Sequence, residues 1–323
     1  MTEQGTERRL GWLGTGRMGS ELVLRLLTAG CDVAVYNRTK AKAEPLAAAG
    51  AKIVDSAAEL AAAADIVFVT VGTSQDLIDA LTGPDGLLSG GAAPSIVVDC
   101  STISAEASRQ VRQQLDARGT TLLAAPVMGN PKVAAAGGLT LAVSGPRDAF
   151  DAARPYLGLL GAGATYVGEG ELARIVKLCH NLFLGVVIQS LSEVTILAEK
   201  SGVSRQALLA CLNDSVMGSA FTRYKTPALV NLDFHATFTA ELLRKDFDLG
   251  LAAARERETP MPVASLVHQM VQSLVGHGYG QSDFAALLML AAQSAGLELV
   301  SENAEVSDGL GPDDTNGAND AVR

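Results

Sequence analysis

Short apolar runs alternate with helix-period stretches through the first half of the chain. Residues 9–13, 33–36, 66–70 and 95–99 are compact apolar runs, the pattern of strands covered on both faces. Between or after them, residues 22–29, 42–49, 57–64, 75–81 and 106–117 space their apolar positions as helices do. This alternation predicts βαβ units around a parallel sheet. Residues 122–125, 139–144 and 165–167 add three short strands. The pattern changes near residue 170. Residues 172–200 are one apolar-periodic stretch without proline, and as a helix these 29 residues would extend about 43 Å. Only helical patterns follow, at 204–212, 240–256, 262–276 and 284–297. Residues 301–323 are rich in Gly, Asp and Asn and read as a disordered acidic tail. The predicted organisation is a doubly wound α/β domain over 1–170, an all-α domain over 171–300 opened by the long helix, and the tail 301–323.

Composition agrees with this division and narrows the partners. At about 150 residues per domain, 323 residues make two domains. Hydrophobic residues make up 48% but aromatics only 4%, so Ala, Leu and Val must build the interior. The net charge of -10 argues against nucleic acid and anionic membranes as partners. Residues 301–323 hold six acidic side chains against Arg323, so half of that charge lies in the tail. In the remainder, Arg38, Lys42, Lys177 and Lys245 set positive charge where small anions would bind. Four Cys without a CxxC pair predict neither a disulfide framework nor a zinc site. The four His lack metal-ligand spacing, so no metal is expected. The polar start MTEQGTERR is no signal peptide. No uninterrupted apolar run reaches the roughly 18–20 residues of a membrane span. Together these features predict a cytoplasmic protein.

Chemistry enters at the first strand. Gly14-Thr15-Gly16-Arg17-Met18-Gly19 matches G-x-G-x-x-G where a strand runs into a helix. The first Gly permits a tight turn, the second admits a pyrophosphate to the backbone, and the third lets helix and strand pack. The anion would sit at the helix N-terminus. This is the phosphate loop of a Rossmann-type dinucleotide site. The end of the second strand then selects the cofactor. NAD sites usually carry Asp or Glu there, whereas this chain reads Tyr36-Asn37-Arg38-Thr39. Arg38 can stack on adenine and pair with a 2′-phosphate, and Asn37 and Thr39 can donate to it. Lys42 adds charge. A solvated basic turn is the other reading, and we favour NADP(H).

In the long helix, Lys177 interrupts an apolar stretch, with Asn181 one turn later on the same face. Gly185 follows on that face and would leave room there. A desolvated ammonium gives up its proton more readily, which suits an acid/base exchanging a proton with a substrate hydroxyl. A lysine snorkelling from the helix edge fits the same pattern. His180 either lines a cleft or is structural; His235, His268 and His277 read as structural. Lys245-Asp246, beside Arg244 and Asp248, fits a solvated charge cluster when taken alone. Ser104 before Ala105-Glu106 reads as a helix cap.

Taken in order, several motifs resemble the β-hydroxyacid dehydrogenase family over residues 8 to about 295. They are residues 14–19, Asp99-Cys100-Ser101-Thr102, Ala125-Pro126-Val127-Met128-Gly129, Lys177 with Asn181, Lys245-Asp246, and residues 276–287. The resemblance implies a hydride transfer between nicotinamide and a small β-hydroxyacid or semialdehyde, with 3-hydroxyisobutyrate as the type. It implies Lys177 as acid/base and Asn181 as a substrate contact, in a cleft between the two domains. Thr102 would lie at the nicotinamide or substrate, and Val71-Gly72 along the cofactor. Lys245 would reach the cofactor or a substrate carboxylate. A homodimer through the helical domain is also implied. The substrate loop departs from the family: Met128, in Met128-Gly129-Asn130, replaces a usual Ser. Losing that donor would cost about 1.5–3 kcal/mol of carboxylate binding, unless Asn130 supplies a substitute. Glu171 and Ala173 stand where the family has glycines, His180 replaces a common amide, and Ala105 replaces Pro. Two rival readings stay open: an imine reductase, a related group that generally lacks the Lys, and a non-catalytic NADP-binding protein.

Overall fold

The computed structural model describes residues 8–311. Nine strands form one sheet: β1 (Leu10–Leu13), β2 (Val33–Tyr36), β3 (Lys52–Ile53), β4 (Ile66–Val69), β5 (Ile96–Asp99), β6 (Thr121–Ala124), β7 (Val127–Met128), β8 (Thr140–Ser144) and β9 (Gly163–Gly168). Their order is β3-β2-β1-β4-β5-β6-β8-β7, with β9 beside β8. The strands from β3 to β6 are parallel. The strand β8 runs antiparallel to β6 and β7, and β9 is parallel to β8. Every residue of β1, β4 and β5 is buried, as expected of strands with helices on both faces. The chain moves outward from β1 to β3, then returns to β4 on the other side of β1. Loops leaving the carboxyl ends there diverge and open a crevice, the usual ligand position of a doubly wound sheet.

Helices follow the predicted alternation at Arg17–Thr28, Glu44–Ala47, Ala57–Ala63, Ser74–Thr82 and Ala105–Asp116. Ser56, Thr73 and Ser104 cap three of them by accepting from backbone N–H groups. The helix Arg17–Thr28 starts five residues before its expected position, directly at the glycine motif. Besides the short helix Pro131–Ala135, two longer helices were not expected. Arg147–Leu159 and Ala220–Asn231 each contain a proline, Pro155 and Pro227. Proline removes one ladder hydrogen bond. Buried Phe150, Ala153 and Leu157 outweigh this in the first helix, and buried Leu229 and Val230 do so in the second.

The helix Leu172–Lys200 has the predicted bounds. Length and hydropathy alone would let it cross a membrane, yet 50% of its most apolar window is buried inside the protein. The chain divides into two compact units within this helix, at Lys177/Leu178, rather than at the expected 170/171. The reason is local. Ala173 packs against Ala124 and Ala142 of the sheet, and Arg174 pairs with Asp99 at the end of β5. The second unit holds the rest of the helix with Arg205–Asp214, Ala220–Asn231, Ala240–Glu256, Pro262–Leu274 and Leu287–Ser294. Its core gathers Leu182, Ile188, Leu243, Phe247, Phe284 and Leu288.

The acidic tail needs correction over its first part. Residues 301–311 lack secondary structure but are anchored. The Glu302 carboxylate accepts from the backbone N–H of Arg205 (2.7 Å) and Gln206 (3.0 Å), capping that helix where its dipole favours negative charge. Asn231 exchanges two hydrogen bonds with the Ala304 backbone, and Val306 packs on the core. Composition weighed these polar residues as solvated, whereas their partners lie about 70 to 100 positions away. Residues 312–323 lie outside the described residues.

Candidate active site

The glycine loop has the backbone shape its motif requires. Gly14 adopts φ +95°, and a Cβ there would stand 2.1 Å from the Thr70 carbonyl. A Cβ on Gly19 would stand 2.1 Å from the Gly14 carbonyl. A Cβ on Gly16 would meet nothing within 4 Å, and no side chain caps the helix that begins after it. The cradle therefore fits a dinucleotide pyrophosphate: an open backbone approach at a helix N-terminus. Trp12, fully buried, donates from Nε1 to the Gly14 carbonyl at 3.0 Å and stacks on Phe68. Arg17 is exposed and Met18 half-buried in the first turn.

A cleft of about 460 Å³ opens beside the loop. Its lining includes Gly14, Gly16, Arg38, Thr39, Lys42 and Val71-Gly72. The Arg38 side chain is 85% exposed and lies 3.5 Å from Asp76. Asn37 lines the cleft as well. Its Oδ1 accepts the Thr15 N–H (2.9 Å) and its Nδ2 donates to the Thr39 carbonyl (2.8 Å). It ties the glycine loop to the turn after β2 from the wall of the cleft.

At the carboxyl ends of β4 and β5 the loops are bonded together. Val71 N–H donates to Ser101 Oγ at 2.9 Å. Asp99, 0% exposed, accepts the Ser101 N–H at 3.0 Å and takes Arg174 on its other oxygen at 2.7 Å. Arg174 also donates to Glu171 at 2.9 Å, and Glu171 binds Arg112 at 2.7 Å. Burial pushes the Glu171 carboxyl up, but the two guanidiniums outweigh it and hold the group below its ordinary range. Arg112, Arg174 and the role of Glu171 escaped the sequence reading; the signal was Glu171 and Arg174 at i and i+3 where the apolar helix begins. Thr102 is half-buried, and Ser104 beyond it is the cap. The buried Cys100 thiol is pushed up by desolvation and by Asp99.

Met128, in β7, packs on Ala124, Ala142 and Ala173. Gly129 adopts φ +135°, and a Cβ there would meet Leu139 at 2.4 Å. Asn130 has a local structural role as well. It is 5% exposed, and its Oδ1 accepts the Val133 N–H at 3.0 Å as the cap of Pro131–Ala135.

On the long helix Lys177 is 7% and Asn181 3% exposed. Burial removes the snorkelling reading of Lys177. Asn181 donates to Asp246 at 2.5 Å and its Oδ1 accepts from His180 Nδ1 at 2.8 Å. Lys245, a third exposed, lies 3.5 Å from the buried Asp246. Asp246 is thus a site residue that the sequence reading quoted but gave no role. Gly185 also needs correction. Its missing side chain leaves no room for a ligand, because the Phe247 ring would lie 2.3 Å from a Cβ there. Among the described residues no three His, Cys, Asp or Glu group to hold a metal.

The comparisons with known proteins follow this layout. Residues 9–168 match the family model of the NAD binding domain of 6-phosphogluconate dehydrogenase. Residues 171–291 match the model described as NAD-binding of NADP-dependent 3-hydroxyisobutyrate dehydrogenase. A probable 3-hydroxyisobutyrate dehydrogenase-like protein of Arabidopsis thaliana is 32% identical over 276 residues, 85% of each chain. The solved 3-hydroxyisobutyrate dehydrogenase of Mycobacterium tuberculosis with L-serine has 27% identity and a TM-score of 0.77, over 88% of this chain and 99% of that one. The imine reductase of Myxococcus stipitatus with NADP+ has 26% identity and a TM-score of 0.55, over 87% and 99%.

Proposed function

This chain belongs to the β-hydroxyacid dehydrogenase family, oxidoreductases that act on CH–OH groups with a nicotinamide cofactor, and from that premise we propose that it interconverts a small β-hydroxyacid and its semialdehyde with NADP(H), using Lys177 as acid/base. The observation that carries the reading is a buried lysine one helical turn from an asparagine that Asp246 and His180 hold in place. Bound NADPH supplies the hydride. The protein moves the proton. In reduction the Lys177 ammonium protonates the oxygen on which negative charge develops; in oxidation the free amine takes that proton back. Asn181 spends one N–H on Asp246 and keeps a second for a substrate oxygen. The backbone at Gly16 and the uncapped helix hold the pyrophosphate.

NADP is favoured by Arg38 and Thr39 in the cleft, with no carboxylate at the end of β2. A charge-assisted contact is worth about 1.5–3 kcal/mol, roughly 10- to 100-fold. Arg38→Ser should raise the KM for NADPH by that factor and barely move the KM for NADH. An equal change for both cofactors would refute the assignment.

An imine reductase is the second reading. Met128 favours it, an apolar residue where the resembled family has a carboxylate-binding Ser. One panel separates the two: NADPH consumption with C3–C5 semialdehydes against five- and six-membered cyclic imines. Turnover of semialdehydes is expected, and turnover of imines alone would overturn the main reading. For assembly we propose a homodimer through the long helix, where Phe183, Val194 and Leu197 are 70%, 43% and 69% exposed on one face. Sedimentation equilibrium tests it, and a monomer at micromolar concentration would refute it.

A further inference from the structure

We propose that Arg174 and Glu171 are positioning residues that tie the helical turn of Lys177 to the two loops along which the cofactor runs. The inference rests on the acid/base reading of Lys177. Its basis is a continuous chain of hydrogen bonds. From Val71 N–H it passes to Ser101 Oγ (2.9 Å), and from Ser101 N–H to Asp99 (3.0 Å). Asp99 takes the Arg174 guanidinium at 2.7 Å, and Arg174 reaches Glu171 at 2.9 Å. Glu171 is gripped by Arg112 through two nitrogens, at 3.0 and 2.7 Å. Arg112 in turn donates to the Leu122 carbonyl of β6. The chain thus links the carboxyl ends of β4 and β5, and Leu122 of β6, to the start of the long helix.

Its chemistry is specific to position. Two guanidiniums and two carboxylates cancel in charge, and Arg174 and Asp99 are 2% and 0% exposed. Desolvating such ions is costly, and apolar side chains of similar volume often serve stability as well or better. What ions add is direction: a planar guanidinium with bonds to two carboxylates fixes both its height and its rotation. Lys177 follows Arg174 by three residues, on the same helix face. Anchoring Arg174 therefore sets where the Lys177 amine stands relative to Thr102 and Val71-Gly72. Misplacing a reacting group by about 1 Å costs on the order of 100-fold in rate.

Three variants test this, with deuterated NADPH and the best semialdehyde of the panel. Glu171→Gln keeps the side-chain shape but removes one charge. Arg174→Lys keeps the charge but loses the fork. Arg112→Gln, at the rim of the chain of contacts, guards against the case in which the first two fail to fold. Each should lower kcat, by about 10-fold or more for the first two and less for the third. The dinucleotide affinity should stay within a factor of two or three of wild type. The primary isotope effect on kcat should rise, because hydride and proton transfer become slower than product release. Unchanged kcat and isotope effect in folded variants, with Lys177→Ala inactive, would overturn the positioning role alone. Retained turnover in Lys177→Ala would overturn the acid/base reading and this inference together. A fall in melting temperature with normal kinetics would reduce the network to a structural brace, which also refutes it.

Discussion

Lys177→Ala loses roughly 10²–10⁴-fold in kcat, the usual worth of a positioned general acid/base, while NADPH still binds. The two properties separate because they belong to different residues. The glycines proposed to hold the pyrophosphate, Gly14, Gly16 and Gly19, lie on the turn from β1 into the helix Arg17–Thr28, and Arg38 lies on the turn after β2. Lys177 lies on the long helix. The protein carries its own binding probe, for its one tryptophan, Trp12, is bonded to the Gly14 carbonyl beneath the cradle. Quenching of its fluorescence by NADPH should be the same in wild type and variant. Steady-state NADPH oxidation measures the loss. Turnover within tenfold of wild type would sink the acid/base assignment. Lost quenching would show that the substitution had damaged the cofactor site.

The second large effect is on stability, in the helical unit. Lys225→Met should cost about 3–5 kcal/mol, the usual result of breaking one side of a buried ion pair. Lys225 is 2% exposed; its ammonium meets Asp283 at 2.6 Å and lies 4.3 Å from the centre of the Phe284 ring. Asp283 also accepts from Thr237 and from the Ala285 N–H, pinning the segment before Ala240–Glu256 to the start of the last helices. Burial pushes the Asp283 carboxyl up, but the ammonium and these donors outweigh it and leave the group below its ordinary 3.8. The sign follows. A depressed carboxylate adds stability that is complete above the unfolded value and is lost as pH falls through the folded one. Wild type should therefore keep this contribution down to about pH 4 and lose it below. Without Lys225 the depression disappears, and acid unfolding should begin at higher pH. Urea titrations of both proteins between pH 3 and 7 measure this. Equal stability, or an unmoved acid limb, would contradict the account.

Much of the fold was legible because burial imposes period. The long helix and Ala240–Glu256 were read to their observed bounds, since an apolar face over many turns has one interpretation. The helix Ala220–Asn231 was not. Its inward face includes Thr222, Lys225 and Thr226, which periodicity counts as polar, and Pro227 looks like a breaker. The strand β3 is two residues long, too short to carry any period. Glycines were legible where a turn explains them, as at Gly14, and misleading where a ring from another helix fills the gap, as at Gly185. Asn37 and Asn130 were read as donors toward ligands. The structure also uses both side-chain oxygens as acceptors for backbone N–H groups, a role fixed by loop geometry that residue type does not reveal. The Arg112–Glu171–Arg174–Asp99 network joins residues up to 75 positions apart, and single-sequence reading has no access to such pairings.

The sheet order has a practical consequence for changing the enzyme. The turn after β2 stands on one side of β1, and the loops after β4 and β5 stand on the other. Substitutions at positions 38, 39 and 42 reshape the side of the cleft proposed to hold adenosine without entering the hydrogen-bond chain that runs from Val71 to Arg174. Dinucleotide preference is thus open to redesign, in the laboratory or by drift among descendants, with little toll on the reacting end. Position 37 is the exception. Its amide holds the Thr15 N–H, so a library that randomised it along with its neighbours would loosen the phosphate loop for every dinucleotide at once.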